Sequence, residues 1–464
     1  MPIDSIVSQP ATDSIQAVYR PIVFKVKAFA TGSDITAPVM PPIVFCDIYF
    51  LTGYPIGTNI GTSIGVAVPT AIYYRTLSKT KAGPNYIFAF DIQDACQEVL
   101  SKEMPAFLSG EMFIPRFAHN TVQCKFRSSG VDGSGFTTPE GTAPVQPTDD
   151  TNEGDGDGTT SNQFYILNTT LRHEQNQNLA DHLNAYKYGT WKNGYYPLSH
   201  RPNKYYLSIN DNDHFPFFYP KGVILKKIRL LFRYINQTTQ WAAEMNIPSV
   251  WGDPDTDIPD FTFTASADYG GVMYVPSGPR NLQALFTTLN LIDIAEYSVQ
   301  ILELSGDIHH PGDVVMQTPW HVIQQEQSQE RFRIRFLNYL GTFDAINFVL
   351  ASTTHETKSD QTQKPTSYPL VKSQHSLSRF NVKSNDTWTV KNATYDESKQ
   401  EWLDELMDSP CAWMEMEGTE GQDPYYLPIV IADQKQVKLK EEDRYVYELT
   451  LEFKLSHERI IIRN

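Results

Sequence analysis

A chain of 464 residues is too long for one ordinary core, so two to four domains are expected. Hydrophobic content of 41% beside 20% charged residues excludes a disordered chain, and no apolar run reaches the roughly 18 residues that a membrane-spanning helix needs. The formal net charge of −16 argues against a general affinity for nucleic acid, because neutralising phosphates takes a basic surface.

With 25 Tyr, 25 Phe, 7 Trp and 30 Pro, the composition favours short strands between punctuated loops. Residues 1–14 are polar and read as an N-terminal arm that orders only against a partner. They contain neither a basic n-region nor an apolar h-region, so no signal peptide is expected. Residues 17–29, 42–51, 71–77 and 86–90 have strand character. Asp91 then offers an N-cap, and Ile92, Ala95, Cys96, Val99 and Leu100 fall on one helical face. Strands return at 111–117 and 121–126. Residues 15–127 are expected to form a β-sandwich with one helix.

Residues 128–163 carry seven acids, seven glycines and no Lys or Arg, which predicts an exposed acidic loop or linker. Within it Glu153, Asp155, Asp157 and Gly158 imitate positions one, three, five and six of a calcium-binding EF-hand loop. The twelfth position is Phe164, where that loop needs a bidentate Glu, so no metal is assigned. Residues 164–323 read as a second β-rich domain, with strands at 164–171, 194–198, 205–209, 223–235, 272–275 and 297–304 and a short helix at 178–188. Asp253, Asp255 and Asp257 form a similar triad but have Ile258 where glycine is required, and read as a turn.

Residues 324–464 open on the most ordered stretch of the chain, RFRIRFLNYLGTFDAINFVL. Phe332, Ile334 and Phe336 alternate with Arg331, Arg333 and Arg335, and Ile346, Phe348 and Leu350 resume the period after a break at Asn338 and Gly341. This predicts a β-hairpin with one wet, basic face. The arginine row is expected to be solvated or to pair with acids on a neighbouring strand. In so acidic a chain it is also a candidate intersubunit salt-bridge row. Residues 353–368 read as a polar, turn-rich loop. The best helix is Glu397–Asp408, with Trp402, Leu403, Leu406 and Met407 in a stripe and Ser409-Pro410 to end it. In the last strand, Arg444–Leu455, Tyr445 and Tyr447 begin a strict alternation; with Arg331, Arg333 and Arg335 they make the candidate assembly interface. The expected fold class is mainly β: serial β-sandwich or barrel units with few short helices, the C-terminal unit a sandwich flanked by one helix.

Chemistry is nearly silent. Cys46, Cys96, Cys124 and Cys411 have no CxxC spacing and read as reduced, mostly buried thiols. His309, His310, Asp307, Asp313 and His321 are the densest set of metal-ligand types, but adjacent histidines on a strand point to opposite faces, and the set reads as a turn. Arg172, His173, Glu174 and His182 would join a site only if the fold gathered them. No nucleophile elbow, phosphate-binding loop or dinucleotide fingerprint occurs. No enzyme activity, cofactor or metal is expected. Trp191, Tyr195, Tyr196 and Trp251 could stack on sugar rings, which leaves a host-surface or glycan-binding adhesin as the alternative reading.

Several phrases resemble structural proteins of tailed bacteriophages and prophages of Bacteroides-like bacteria. They are YRPIVFKVKA near Tyr19, IFAFDIQDACQEVLS from Ile87, SNQFYILNTTLRHEQNQNLADHL from Ser161, the hairpin RFLNYLGTFDAINF, and the closing LDELMDSPCAWMEM, LPIVIADQKQVKL and YVYELTLEFKL. The resemblance implies a tail or baseplate-region ring protein of the virion, assembled in the host cytoplasm. Its partners would be copies of itself and other tail proteins. It implies no catalytic residues.

Overall fold

The computed structural model describes residues 5–27, 43–52, 70–80, 87–100, 119–128, 159–170, 179, 183, 195–220, 225–246, 271–303, 314–324, 331–363, 368–369, 377–394, 397–416, 425–441, 444–456 and 459–460. They are mainly β, in several sheets with few short helices. The chain divides into two compact units. One comprises Met1–Ser199, Ile209–Ile323 and Tyr339–Thr342; the other comprises His200–Ser208, Gln324–Asn338 and Phe343–Asn464.

The first unit begins with strands β1 (Ser5–Ser8), β2 (Ile15–Ala17), β3 (Val23–Lys27), β4 (Val44–Thr52), β5 (Thr70–Lys79) and β6 (Ile87–Asp91). Helix α1 (Gln93–Val99) and strands β7 (His119–Ser128), β8 (Thr159–Thr160) and β9 (Phe164–Leu167) follow. The sheets run β1-β3-β6 and β2-β9-β7-β4-β5, with β8 beside β7. Alternation explains the sandwich: Phe24 and Val26, Phe88 and Phe90, and Cys46, Ile48 and Phe50 all turn into one core. Each such side chain contributes about 1.5–3 kcal/mol when fully buried. On the opposite face of β4, buried Asp47 accepts from Arg127 Nε at 2.6 Å. Asp91 sits one residue before the N-cap of α1, yet its carboxylate still accepts from Gln93 N at 3.0 Å.

Two expectations change here. Residues 5–8 are not a free arm; they pair antiparallel with β3, Ser5 opposite Lys27. Main-chain hydrogen bonds hold this edge, and of its apolar side chains only Ile6 is half-buried against the core, so a four-residue stretch gives little hydropathy signal. Phe164–Leu167 does not open the next domain either. It pairs with β7 and, in parallel, with β2.

Cys46, Cys96 and Cys124 share this core, whereas Cys411 is half-buried. Burial pushes the Cys96 and Cys124 thiols up, and Cys124 also shares a hydrogen bond with Cys46. Alkylation of the native protein at neutral pH should label Cys411 and reach the other three only in denaturant. Mass spectrometry showing rapid native labelling of any of those three would contradict this packing.

The chain continues through β10 (Tyr196–Pro197), β11 (Lys204–Ser208), β12 (His214–Tyr219), β13 (Leu225–Tyr234), β14 (Trp241–Asn246) and β15 (Gly271–Pro276). Helix α2 (Pro279–Leu285) precedes β16 (Ile294–Glu303), β17 (Val314–Gln317) and β18 (Trp320–Gln324). Strands β10-β12-β15 form one sheet of the first unit, and β18-β16-β13-β14 with β17 form another. Phe215 and Phe217 of the first meet Leu230, Phe232, Tyr297 and Val299 of the second, with Leu282 of α2 against them. Helix α2 starts at Pro279, whose ring presets the first turn.

The second unit is built from β19 (Arg331–Leu337), β20 (Phe343–Gln363), β21 (Leu377–Thr394), helix α3 (Glu397–Asp408), β22 (Ala412–Met416), β23 (Tyr425–Glu441), β24 (Arg444–Leu455) and β25 (Arg459–Ile460). The order β20-β19-β22-β23-β24-β21 closes through a β20–β21 pairing into an antiparallel six-stranded barrel, and β25 adds to β21. Closure removes sheet edges. Ile334, Phe336, Ile346, Phe348, Met414, Ile429, Leu451 and Phe453 fill it, together with Trp402, Leu403 and Leu406 of α3. Strand β11 also gives Tyr205 and Leu207 to this core, which chain order alone does not reveal. Gly341 lies at φ +78°, and a Cβ there would come 2.4 Å from the Asn168 carbonyl oxygen, so only glycine fits that turn.

Candidate assembly ribbon and buried charges

Strand β20 has two parts with different physics. From Phe343 to Phe348 it is a barrel stave, largely buried. From Ala351 to Gln363 every residue is exposed except Ser359, which is half-buried. The register continues regardless: Thr354 opposes Thr387, Lys358 opposes Lys383, and Gln363 opposes Leu377. The hairpin therefore leaves the barrel as a two-stranded ribbon of roughly 40 Å at about 3.4 Å per residue. Residues 353–363 are strand where a turn-rich loop was expected. The sequence signal failed because the period-two hydrophobic pattern exists only when one face is buried, and here both are wet.

Polar cross-strand contacts stiffen the ribbon. His355 Nδ1 and Asp386 Oδ1 lie 2.5 Å apart, and Arg379 Nε donates to Ser359 Oγ at 2.7 Å. These exposed contacts are each worth little in water. Among the described residues no strand pairs with the outer edge of 351–363, so that edge presents main-chain donors and acceptors in a row.

The arginine row is not a wet face. Arg333 and Arg335 point away from the apolar core but are buried, and Glu415 of β22 lies between them. Its Oε2 is 3.3 Å from Arg333 Nε and 3.1 Å from Arg335 Nε. Arg333 also donates to Asn347 Oδ1 at 3.1 Å, and the Arg335 guanidinium lies 5.4 Å from the Tyr426 ring centre. Burial, then the Glu415 charge, raise the Tyr426 phenol against the lowering influence of Arg335. An arginine face is dry here because cross-strand carboxylate and aromatic groups replace its water. The side chains of Arg331, Tyr445 and Tyr447 lie outside the described residues. Their strands do not adjoin: β24 neighbours β23 and β21, whereas β19 neighbours β20 and β22. The barrel thus does not bring the arginines and the two tyrosines to one strand pair.

A second buried charge cluster escaped the sequence reading. Asp344 accepts from Arg201 Nε at 2.8 Å, Asn338 Nδ2 at 3.0 Å and Trp402 Nε1 at 3.0 Å. Both Arg201 and Asp344 are fully buried. One residue away, His200 Nδ1 meets the buried Glu405 carboxylate of α3. A signal was present: Asp344 has the same parity as Ile346 and Phe348, so an acid stands in the apolar row.

Of the other candidates, Tyr195 is buried in the first unit's core and Tyr196 is half-buried, so Tyr195 offers no ring to a sugar. Trp191 and Trp251 lie outside the described residues, as do both acidic triads, Asp307, His309, His310, Asp313, Arg172, His173, Glu174 and His182. His321 is buried and stacks on Tyr297 at 5.0 Å. Among the described residues no group of three or more His, Cys, Asp or Glu could hold a metal ion, and no helix is long and apolar enough to cross a membrane.

No protein-family model matches the chain, and no curated protein matches it. Among solved structures, a chain of the 6-fold symmetrised cryo-EM structure of the anti-feeding prophage baseplate matches 30% of this chain and 97% of its own, at 10% identity and a TM-score of 0.21. At that identity and score, the similarity to part of a prophage baseplate fixes neither fold nor role.

Proposed function

We propose that this chain is a structural component of a phage virion, in the tail or baseplate region, acting by protein–protein assembly and not by catalysis. The ribbon carries this reading. A two-stranded hairpin without a buried face is marginal by itself, and β20 runs thirteen residues beyond the barrel, Ala351–Gln363, with every one of these side chains exposed except that of half-buried Ser359. An element of that kind gains its stability from another subunit, through its free edge or its faces. Identical subunits that pair this way close into rings when the rotation permits. The phrases that resemble phage structural proteins support the same setting, a particle assembled in the host cytoplasm.

The test is to remove residues 355–386 and join Thr354 to Thr387, which oppose each other, through an Asn-Gly turn. The barrel pairings from Thr387 onward remain. The full chain is expected to sediment as a discrete closed oligomer and the shortened chain as a monomer with nearly unchanged thermal unfolding. A full chain that stays monomeric at all concentrations would sink the reading. So would a shortened chain that assembles equally well.

A further inference from the structure

The second unit has a cleft of about 220 Å³ that plays no part in the ribbon. Its floor is the buried pair Tyr205 and Trp402, edge to face at 5.5 Å. That floor is locked in place: the Trp402 indole donates to Asp344, and the Tyr205 hydroxyl donates to the Ala345 carbonyl. Lys204, Lys391 and Lys399 stand around it, with exposed Tyr206 beside Lys204. Lys399 Nζ donates to Asn392 Oδ1 at 3.1 Å, and Asn392 Nδ2 donates to the Asn347 carbonyl at 3.1 Å, so one ammonium is held at the rim. Among the described lining residues none is Asp or Glu. Three lysines around one cleft, with no acid among its described lining residues, stand out in a chain of 54 acids and 38 bases.

We infer that this cleft is a binding site for an acidic peptide segment, an Asp/Glu-rich stretch of a neighbouring polypeptide. Size and charge choose that occupant. The cleft is smaller than the roughly 300–1,000 Å³ that encloses a whole cofactor or metabolite, so it admits a side chain or two of a ligand whose remainder lies outside. The lysines supply point charges for carboxylates, and exposed Tyr206 offers its ring to the methylenes of an Asp or Glu. A nucleic-acid strand would instead need an extended basic track, which a net charge of −16 opposes. The inference goes beyond the assembly reading and does not depend on it.

The probe is a synthetic peptide of residues 148–158 of this same chain, which has five acids and no base, titrated calorimetrically into the full-length protein. Binding is expected, weakening roughly tenfold or more between about 50 and about 500 mM salt. In the Lys204→Glu/Lys391→Glu variant it should weaken by about tenfold or more, and in Lys204→Gln/Lys391→Gln by less. Lys204 and Lys391 are exposed and outside the core, and unchanged circular dichroism will show that both variants fold. A peptide with Asn and Gln in place of the acids should not bind. The inference is overturned by no binding of the acidic peptide, by unchanged affinity in the Glu variant, or by equal binding of the neutral peptide. Tighter binding of oligothymidine through the same lysines would also overturn it, in favour of a nucleic-acid site.

Discussion

Asp344→Ala is expected to destabilise the barrel unit by about 3–5 kcal/mol, the usual cost of breaking a buried ion pair from one side. The carboxylate takes hydrogen bonds from Arg201, Asn338 and Trp402, all within 3.0 Å. Removing it leaves the Arg201 guanidinium, fully buried 5.0 Å from the Tyr205 ring centre, facing a void in place of an anion. The indole N–H loses its acceptor in the same step, a further desolvation penalty. Against a typical domain stability of about 5–15 kcal/mol, this approaches the whole margin. Urea unfolding followed by tryptophan fluorescence measures it. The double variant Arg201→Met/Asp344→Leu should recover much of the loss, because an apolar pair of similar volume needs no desolvation. A single variant within about 1 kcal/mol of wild type would mean that the pair does not hold this core together.

The barrel and the ribbon differed in how far sequence could reveal them. Arg331–Leu337, Glu397–Asp408 and Arg444–Leu455 were legible because each turns one apolar face to the core, which writes a period of two or 3.6 into the side chains. Ala351–Gln363 is exposed on both faces and Ser5–Ser8 is a four-residue edge with Ile6 half-buried against the core, so main-chain pairing defines both and the residue pattern is too polar or too short to record it. Of the two expectations for the arginine row, the solvated face is wrong and pairing with an acid on the neighbouring strand is what Arg333 and Arg335 do. Alternation correctly placed Arg333 and Arg335 opposite the apolar row, but it says nothing about what covers that side. Glu415, eighty residues on from Arg335, reaches them only through the β19–β22 pairing. His200, Arg201 and β11 were illegible in the same way, since their partners lie more than a hundred residues later in the chain. Asp344 alone left a trace, an acid on the apolar parity of its strand.

Phe336→Asp should abolish the folded barrel and with it any assembly that depends on the barrel. Phe336 is fully buried, its ring 6.0 Å from that of Trp402. Truncating such an aromatic costs about 3–5 kcal/mol in lost burial and cavity. The new carboxylate adds several more for an uncompensated charge in the interior. The register sharpens the effect: Phe336 lies directly opposite Asp344, so the substitution sets two acids against each other across the strand pair, where like charges repel. Arg201 cannot serve both without weakening its bond to Asp344. The sum equals or exceeds the stability of an ordinary domain. Limited proteolysis should then cut within Glu397–Met416, α3 and β22, where the wild-type barrel resists. Phe336→Leu keeps the site apolar and should cost far less, leaving the barrel folded and somewhat less stable. If Phe336→Asp instead unfolds near the wild-type temperature, Phe336 does not occupy the barrel interior and the β19–β20 register is wrong. If both variants fail alike, the cost arises from shape and not from charge, because leucine brings no carboxylate to oppose Asp344.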